Sequence, residues 1–202
     1  MKNKLAIVLP FFIAIAISIV AYAHLPERMV VHFNFAENPD NWMRKPLGAF
    51  LLPIIMLLTS FIITFSVKFE KNENKRRRTK AVIGSVTAIV SMLILSVHAF
   101  IIAYNLGYDF GVATFVTIVT GALFILLGNL VPRLPQGSMQ WPVLPGPVLQ
   151  KVSRFHGGFM VILGCLFLLL AFLPSNYILP LFFLLLASFI ITIIISTIRY
   201  IR

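Results

Sequence analysis

The sequence predicts an all-α integral membrane protein: six transmembrane helices, N and C termini cytoplasmic, and a small structured extracellular loop between helices 1 and 2. Three observations predict it. Hydrophobic residues make up 59% of the 202 and charged residues 11%, against roughly 45–50% and about 25% in soluble domains, too few charges to cover a water-facing surface. Six apolar stretches, 5–23, 47–67, 81–106, 111–131, 157–173 and 178–198, contain no Asp, Glu, Lys or Arg. Each reaches or approaches the roughly 20 residues that a helix needs to cross a hydrocarbon core. Finally, fourteen of the 17 Lys and Arg fall at the N-terminus, in 68–80, in 132–156 or at the C-terminus, and only Arg28, Arg44 and Lys45 on the opposite side. That bias places both termini inside.

Each span is expected to be helical, because backbone polar groups in lipid must satisfy one another. The first follows Lys2 and Lys4 but exceeds a signal-peptide core and precedes further spans, so it reads as an uncleaved helix. Pro10 and Pro53 lie inside spans one and two, where each either kinks its helix or sits at its end. Spans three and four are joined by a turn at Asn105-Leu106-Gly107-Tyr108-Asp109, and spans five and six by Leu173-Pro174-Ser175-Asn176-Tyr177. Pro180 falls near the expected start of span six, where a missing N–H is harmless. Gly84, Gly121 and Gly164 are expected to permit close helix packing, and Cys165 to be a packed small hydrophobe.

Two loops are too elaborate to be linkers. In 24–46, Met29, Val31, Phe33 and Phe35 alternate with Val30, His32 and Asn34, a period of two that predicts a short strand. Asn38-Pro39-Asp40-Asn41 reads as a turn, and Trp42 suits a membrane interface. This loop is either an interfacial segment lying on headgroups or a folded cap presenting a binding surface. The second loop, 132–156, holds Pro132, Pro135, Pro142, Pro145 and Pro147 but also Met139, Trp141 and Leu149, so it should fold back on the protein. Residues 148–156, with Lys151 and Arg154, predict an interfacial helix that bends into span five at Gly157-Gly158.

The charge run at Lys75, Arg76, Arg77, Arg78 and Lys80 reads as a cluster facing anionic lipid of the bilayer rather than a nucleic-acid surface. No catalytic triad, Walker loop or dinucleotide fingerprint is present, so no enzyme activity and no cofactor are expected. One cysteine excludes a disulfide framework, and His24, His32, Glu37 and Asp40 match no metal-ligand spacing. Inside the membrane two polar residues stand out. His98 is a functional candidate or a neutral imidazole bonded to a neighbouring helix, and Asn129 either caps span four or bonds across to another helix.

Leu25-Pro26-Glu27-Arg28, His32-Phe33-Asn34, Pro39-Asp40-Asn41-Trp42 and Lys45 resemble the extracytoplasmic motif of the domain of unknown function numbered 1648. Gly128-Asn129 and Arg154 resemble the second half of the SdpI/YfhL membrane family. The pattern departs at Val30, where the family has Pro, and at Glu37, where it has Gly and Asn38 is expected to supply the turn. The family's Gly-Ile-Arg-Thr-Pro-Trp-Thr stretch is reduced to Trp141-Pro142, with Ser138 in place of its Arg. The resemblance divides the chain into 1–80, with the basic cytoplasmic loop 68–80, and a four-helix region 81–202.

What the resemblance implies is an immunity protein of the bacterial cytoplasmic membrane that binds a secreted peptide toxin at its extracellular face. The toxin-facing residues would be Pro26, His32, Phe33, Asn34, Phe35, Asp40, Trp42 and Lys45, with Glu27, Glu37, Asp40 and Asp109 available to a cationic peptide. It further implies a cytoplasmic repressor as a partner, on a surface of Arg76, Arg77, Arg78, Trp141, Lys151 and Arg154. Two alternatives stand beside simple immunity: a sensor that relays an extracellular signal by sequestering such a repressor, and a small transporter centred on His98.

Overall fold

The computed structural model describes residues 2–108, 111–134 and 146–201. In chain order it contains α1 (Lys2–Ala21), a 3-10 turn, β1 (Arg28–Phe33), β2 (Pro39–Arg44), α2 (Lys45–Ser66), a second 3-10 turn and α3 (Glu73–Asn105). Then come α4 (Val112–Leu130), a third 3-10 turn, α5 (Gly146–Leu170) and α6 (Ser175–Ile201). Among the described residues five helical stretches are long and apolar enough to cross a membrane, and Val8–His24 adds a shorter apolar one. Their outward residues are large and apolar, as at Val20, Ile62 and Leu184. This is a multi-pass membrane protein, because such a surface is stable only against lipid.

Several boundaries differ from those expected. The basic segment from Glu73 onward is the first turns of α3 rather than a loop. Lys and Arg are good helix formers, and Glu73 pairs with Arg76 one turn on at 3.2 Å. At the other loop, α5 starts at Gly146 with Pro147 in its first turn and runs unbroken through Gly157-Gly158 to Leu170. Pro180 is the sixth residue of α6, so it removes one bond of the helix interior instead of an end group. Cys165 is exposed, not packed.

The chain packs as two compact units. The first comprises Met1–Phe69 and Ile83–Val112, the second Glu70–Val82 and Ala113–Arg202. The division at 80/81 drawn from sequence lies inside the continuous α3.

In the first unit the three helices meet around a buried polar knot. Pro53 has no N–H, so the carbonyl of Ala49, four residues earlier in α2, has no partner within its own helix. Ser18 of α1 supplies one: its hydroxyl lies 2.6 Å from Ala49 O. A hydroxyl has one hydrogen, and this shorter contact takes it in preference to Ala14 O at 3.1 Å. His98 Nε2, 3.0 Å from Ser18 Oγ and 3.2 Å from Ala14 O, must then be the donor to both. Ser18 and His98 are fully buried. Lower down, Ser60 and Ser91 join α2 to α3 at 3.1 Å.

The second unit is held by glycines and aromatic rings. A methyl group on Gly128 would stand 2.6 Å from Gly157 O, and one on Gly121 would stand 2.8 Å from Gly164 O. Both pairs are spaced by seven residues on antiparallel α4 and α5, so one face of each helix is bare and the backbones touch. Phe124 of α4, Phe167 of α5 and Phe189 of α6 close the adjacent core, with centroids 5.2 and 5.0 Å from Phe124. Gly84 is buried in the first unit.

Two outcomes follow for the purified protein in detergent. Ser18→Ala, which orphans Ala49 O, should destabilise by about 1–3 kcal/mol in equilibrium unfolding. The same change should cost less in a Pro53→Ala background, where residue 53 regains an N–H for that carbonyl. In the second unit, Gly157→Ala should lower stability by about 1–3 kcal/mol through overpacking. Its neighbour Gly158→Ala, where nothing among the described residues lies within 4 Å of the added methyl, should leave the melting temperature unchanged or raised.

Candidate functional site

The site is a two-stranded antiparallel hairpin standing on the ends of α1, α2 and α3. Register pairs Arg28 with Arg44, Met29 with Met43, Val30 with Trp42, His32 with Asn41 and Phe33 with Pro39, with irregularities on either side of His32. The tip is closed by Asn34, whose N–H donates to Asn38 O at 2.9 Å and whose carbonyl accepts from Glu37 N at 3.0 Å. Asn34 Oδ1 also accepts from the N–H groups of Ala36 and Asn38, at 2.9 and 3.0 Å. Glu37, rather than Asn38, takes the left-handed conformation at φ 61°. A three-residue loop with its last residue left-handed is a standard hairpin closure, and glycine is the residue that adopts it without strain.

Four contacts seat the hairpin. Met29 is fully buried against α2, where a side-chain carbon on Gly48 would come within 3.0 Å of Met29 Cβ. Phe33 packs on two rings one turn apart on α3, with centroids 4.7 Å from Tyr104 and 5.9 Å from Phe100. Lys45 N–H donates to Glu27 O at 2.9 Å, while its ammonium sits 4.9 Å above the Tyr22 ring and 4.0 Å from Glu27 Oε1. The fourth contact is a reciprocal clamp. Val30 N–H donates to Asn105 Oδ1, and Asn105 Nδ2 donates to Val30 O, both at 2.8 Å. Asn105 can do this because α3 ends at it: Tyr108 N bonds Ala103 O and Gly107 N bonds Tyr104 O, with Gly107 at φ 91°.

These contacts sort the expected ligand-facing residues. Pro26, His32, Asn34, Phe35, Asp40 and Trp42 are exposed, Phe35 by 81% and Trp42 by 45%. Asn34 is exposed but committed to the turn. His32 Nδ1 and Asp40 Oδ1 bond to each other across the strands at 2.5 Å. Phe33 and Lys45 do not face outward: Phe33 is turned onto α3, and the Lys45 side chain is only 12% exposed. Among the described residues no three His, Cys, Asp or Glu side chains converge as a metal site. Beside the hairpin, an apolar groove of about 610 Å³ runs between α1 and α3, lined by Ile17, Val20, Ile102 and Leu106, with His24 and Tyr108 also on its wall.

The remaining candidates lie elsewhere. His98 sits in the polar knot of the first unit, and its Nδ1 has no hydrogen-bond partner among the described residues. Among the described residues Asn129 bonds no other helix; its Nδ2 donates back to Ile125 O at 3.0 Å within α4, and the residue is exposed. In the second unit Arg77, Arg78, Lys151 and Arg154 are exposed, and Arg76 is half-buried. Trp141 and Asp109 lie outside the described residues. Sequence reasoning missed Asn105, Ser18 and the His156–Ser196 bond of 2.6 Å between α5 and α6. Ser18 and Ser196 show only as polar residues in apolar runs, Asn105 reads as part of a turn, and His156 follows a basic stretch.

Removing the clamp should loosen the hairpin without unfolding the helices. Asn105→Leu leaves Val30 N–H and C=O unpaired, so amide protection across residues 29–33 should fall by roughly tenfold or more in hydrogen exchange. Protection in α2 should be unchanged.

Residues 9–57, which include the whole hairpin, match the family described as Domain of unknown function (DUF1648). The chain is 23% identical over 183 residues to "Immunity protein SdpI" of Bacillus subtilis (strain 168), covering 88% of this chain and 86% of that protein. It is also 38% identical over 45 residues to "Uncharacterized membrane protein YbgB" of the same organism, covering 22% of this chain and half of that protein. No solved structure matches. The seated hairpin and the end-to-end similarity agree: this is a multi-pass membrane protein that matches DUF1648 over residues 9–57 and is similar to Immunity protein SdpI along most of its length.

Proposed function

We propose that the chain is a non-catalytic immunity or resistance protein of the bacterial cytoplasmic membrane that binds a secreted peptide toxin at its hairpin face. The observation that carries this is the match to Immunity protein SdpI over 88% of the chain. The charge bias of the sequence orients the hairpin outward. Phe35 and Trp42 supply apolar contact there, and the side chain of Glu27, 91% exposed, supplies negative charge for a cationic peptide. The groove between α1 and α3 accepts an apolar segment of the toxin. Phe33, Asn34 and Lys45 act by holding the hairpin in shape.

A second reading is a sensor that also retains a cytoplasmic repressor. It is favoured by the exposed Arg77 and Arg78 in the first turns of α3. For His98, its bonds to Ser18 and Ala14 favour a packing role over a transport one.

Deleting the gene and challenging the host with its siblings' secreted toxin tests the proposal. Survival should fall, wild-type protein should restore it, and Phe35→Ser/Trp42→Ser, expressed at equal level in the membrane, should not. Unchanged survival after deletion overturns the immunity reading. Full rescue by the double variant overturns the role of the hairpin face.

A further inference from the structure

We propose that a cleft between α5 and α6 in the second unit binds the phosphate headgroup of an anionic phospholipid. The cleft has a volume of about 470 Å³ and is lined by Lys151, Phe155, Thr192, Ile195, Ser196 and Arg199. The His156–Ser196 bond sets its position on the two antiparallel helices. From there Lys151 is five residues toward the start of α5, and Arg199 three residues toward the end of α6. Two cations from different helices therefore stand at one level, about 5–8 Å beyond that bond along the axes. In the opposite direction both helices are apolar, as a membrane-embedded stretch must be. The cations thus mark headgroup depth.

The lining has the gradient that such a ligand needs. Arg199 offers a planar fork and Lys151 a compact ammonium, the two cationic groups that bind phosphate oxygens best. Thr192 adds a hydroxyl, seven residues or about 10 Å deeper than Arg199. Phe155, 48% exposed, and Ile195, 60% exposed, form flanks suited to glycerol and the first methylenes of an acyl chain. Neither α5 nor α6 contains Asp or Glu, so the walls themselves carry only positive charge. A basic pocket between membrane helices at headgroup depth is the setting in which acidic lipids are held. A soluble phosphate would use the two cations but not the apolar flanks.

The test uses the full chain in detergent, with lipid retention read by native mass spectrometry and stability by thermal melting. Phosphatidylglycerol, phosphatidylcholine of the same acyl chains, and inorganic phosphate are the probes. Phosphatidylglycerol should be retained in preference and should raise the melting temperature, whereas phosphatidylcholine and inorganic phosphate should not. Each cation contributes roughly fivefold to affinity for an anionic lipid, so Lys151→Gln/Arg199→Gln should weaken retention by more than about tenfold. Lys151→Arg should keep it, as should Arg133→Gln, a cation lost outside the cleft. Equal retention of the two lipids, or undiminished binding by the double variant, overturns the proposal. Equal stabilisation by inorganic phosphate assigns the site to a soluble anion and overturns the lipid. If the double variant does not fold, each single Gln variant must show its roughly fivefold loss, or the proposal fails.

Discussion

The first unit depends on one carbonyl. Pro53 leaves Ala49 O without an intrahelical partner, in a membrane that offers no water to replace it. Ser18 fills the gap from α1, and its single hydrogen is thereby spent. His98, reaching from α3, can then bond Ser18 only as a donor. One missing N–H thus fixes the partner of a serine, the tautomer of a histidine and the meeting point of three helices. Apolar packing gives little preference among neighbours when lipid is as apolar as leucine, so polar knots of this kind select which helices touch.

Those three helices form the platform for the hairpin. An isolated two-stranded sheet is marginal in water and exposes two edges. Here the edge of β1 is met by the Asn105 amide, which presents one acceptor and one donor to the backbone of Val30 as another strand would. Met29 and Phe33 add apolar anchors on α2 and α3. The residues left outside, Phe35 and Trp42 above all, are therefore shown from a fixed base. Binding by such a surface loses less conformational entropy than binding by a free loop.

The second unit solves its packing differently. Where the first uses hydrogen bonds, α4 and α5 use absent side chains: Gly121, Gly128, Gly157 and Gly164 bring backbone to backbone. Gly121 and Gly164 were legible as packing glycines, but the pairing was not. Gly157-Gly158 looked like a hinge because glycine lowers helix propensity; the helix continues because close contact through Gly157 outweighs that deficit. The first turns of α3 read as a loop in the sequence for a related reason, whereas the helix over 148–156 was expected and proves continuous with the rest of α5. Charged residues interrupt an apolar run without interrupting a helix, so hydropathy marks where lipid ends and not where the helix does.

The sequence by itself determined the membrane class and its helical spans, since composition and the demand for internal backbone bonding allow little else. It also marked the first strand, through alternation at Met29–Phe33, but it put the turn at Asn38-Pro39-Asp40-Asn41, where β2 already runs; the turn lies at 34–38, because the Asn34 side chain gathers the amides of Ala36 and Asn38. Tertiary structure decided which of the candidate residues point outward. Phe33 and Lys45 face inward and Asn34 closes the tip, because platform contacts with Tyr104, Tyr22 and the turn amides outcompete exposure. It also decided the partners of Ser18, Asn105 and His156, since a hydrogen bond between residues 31 to 80 positions apart leaves no local pattern and exists only once the helices have met.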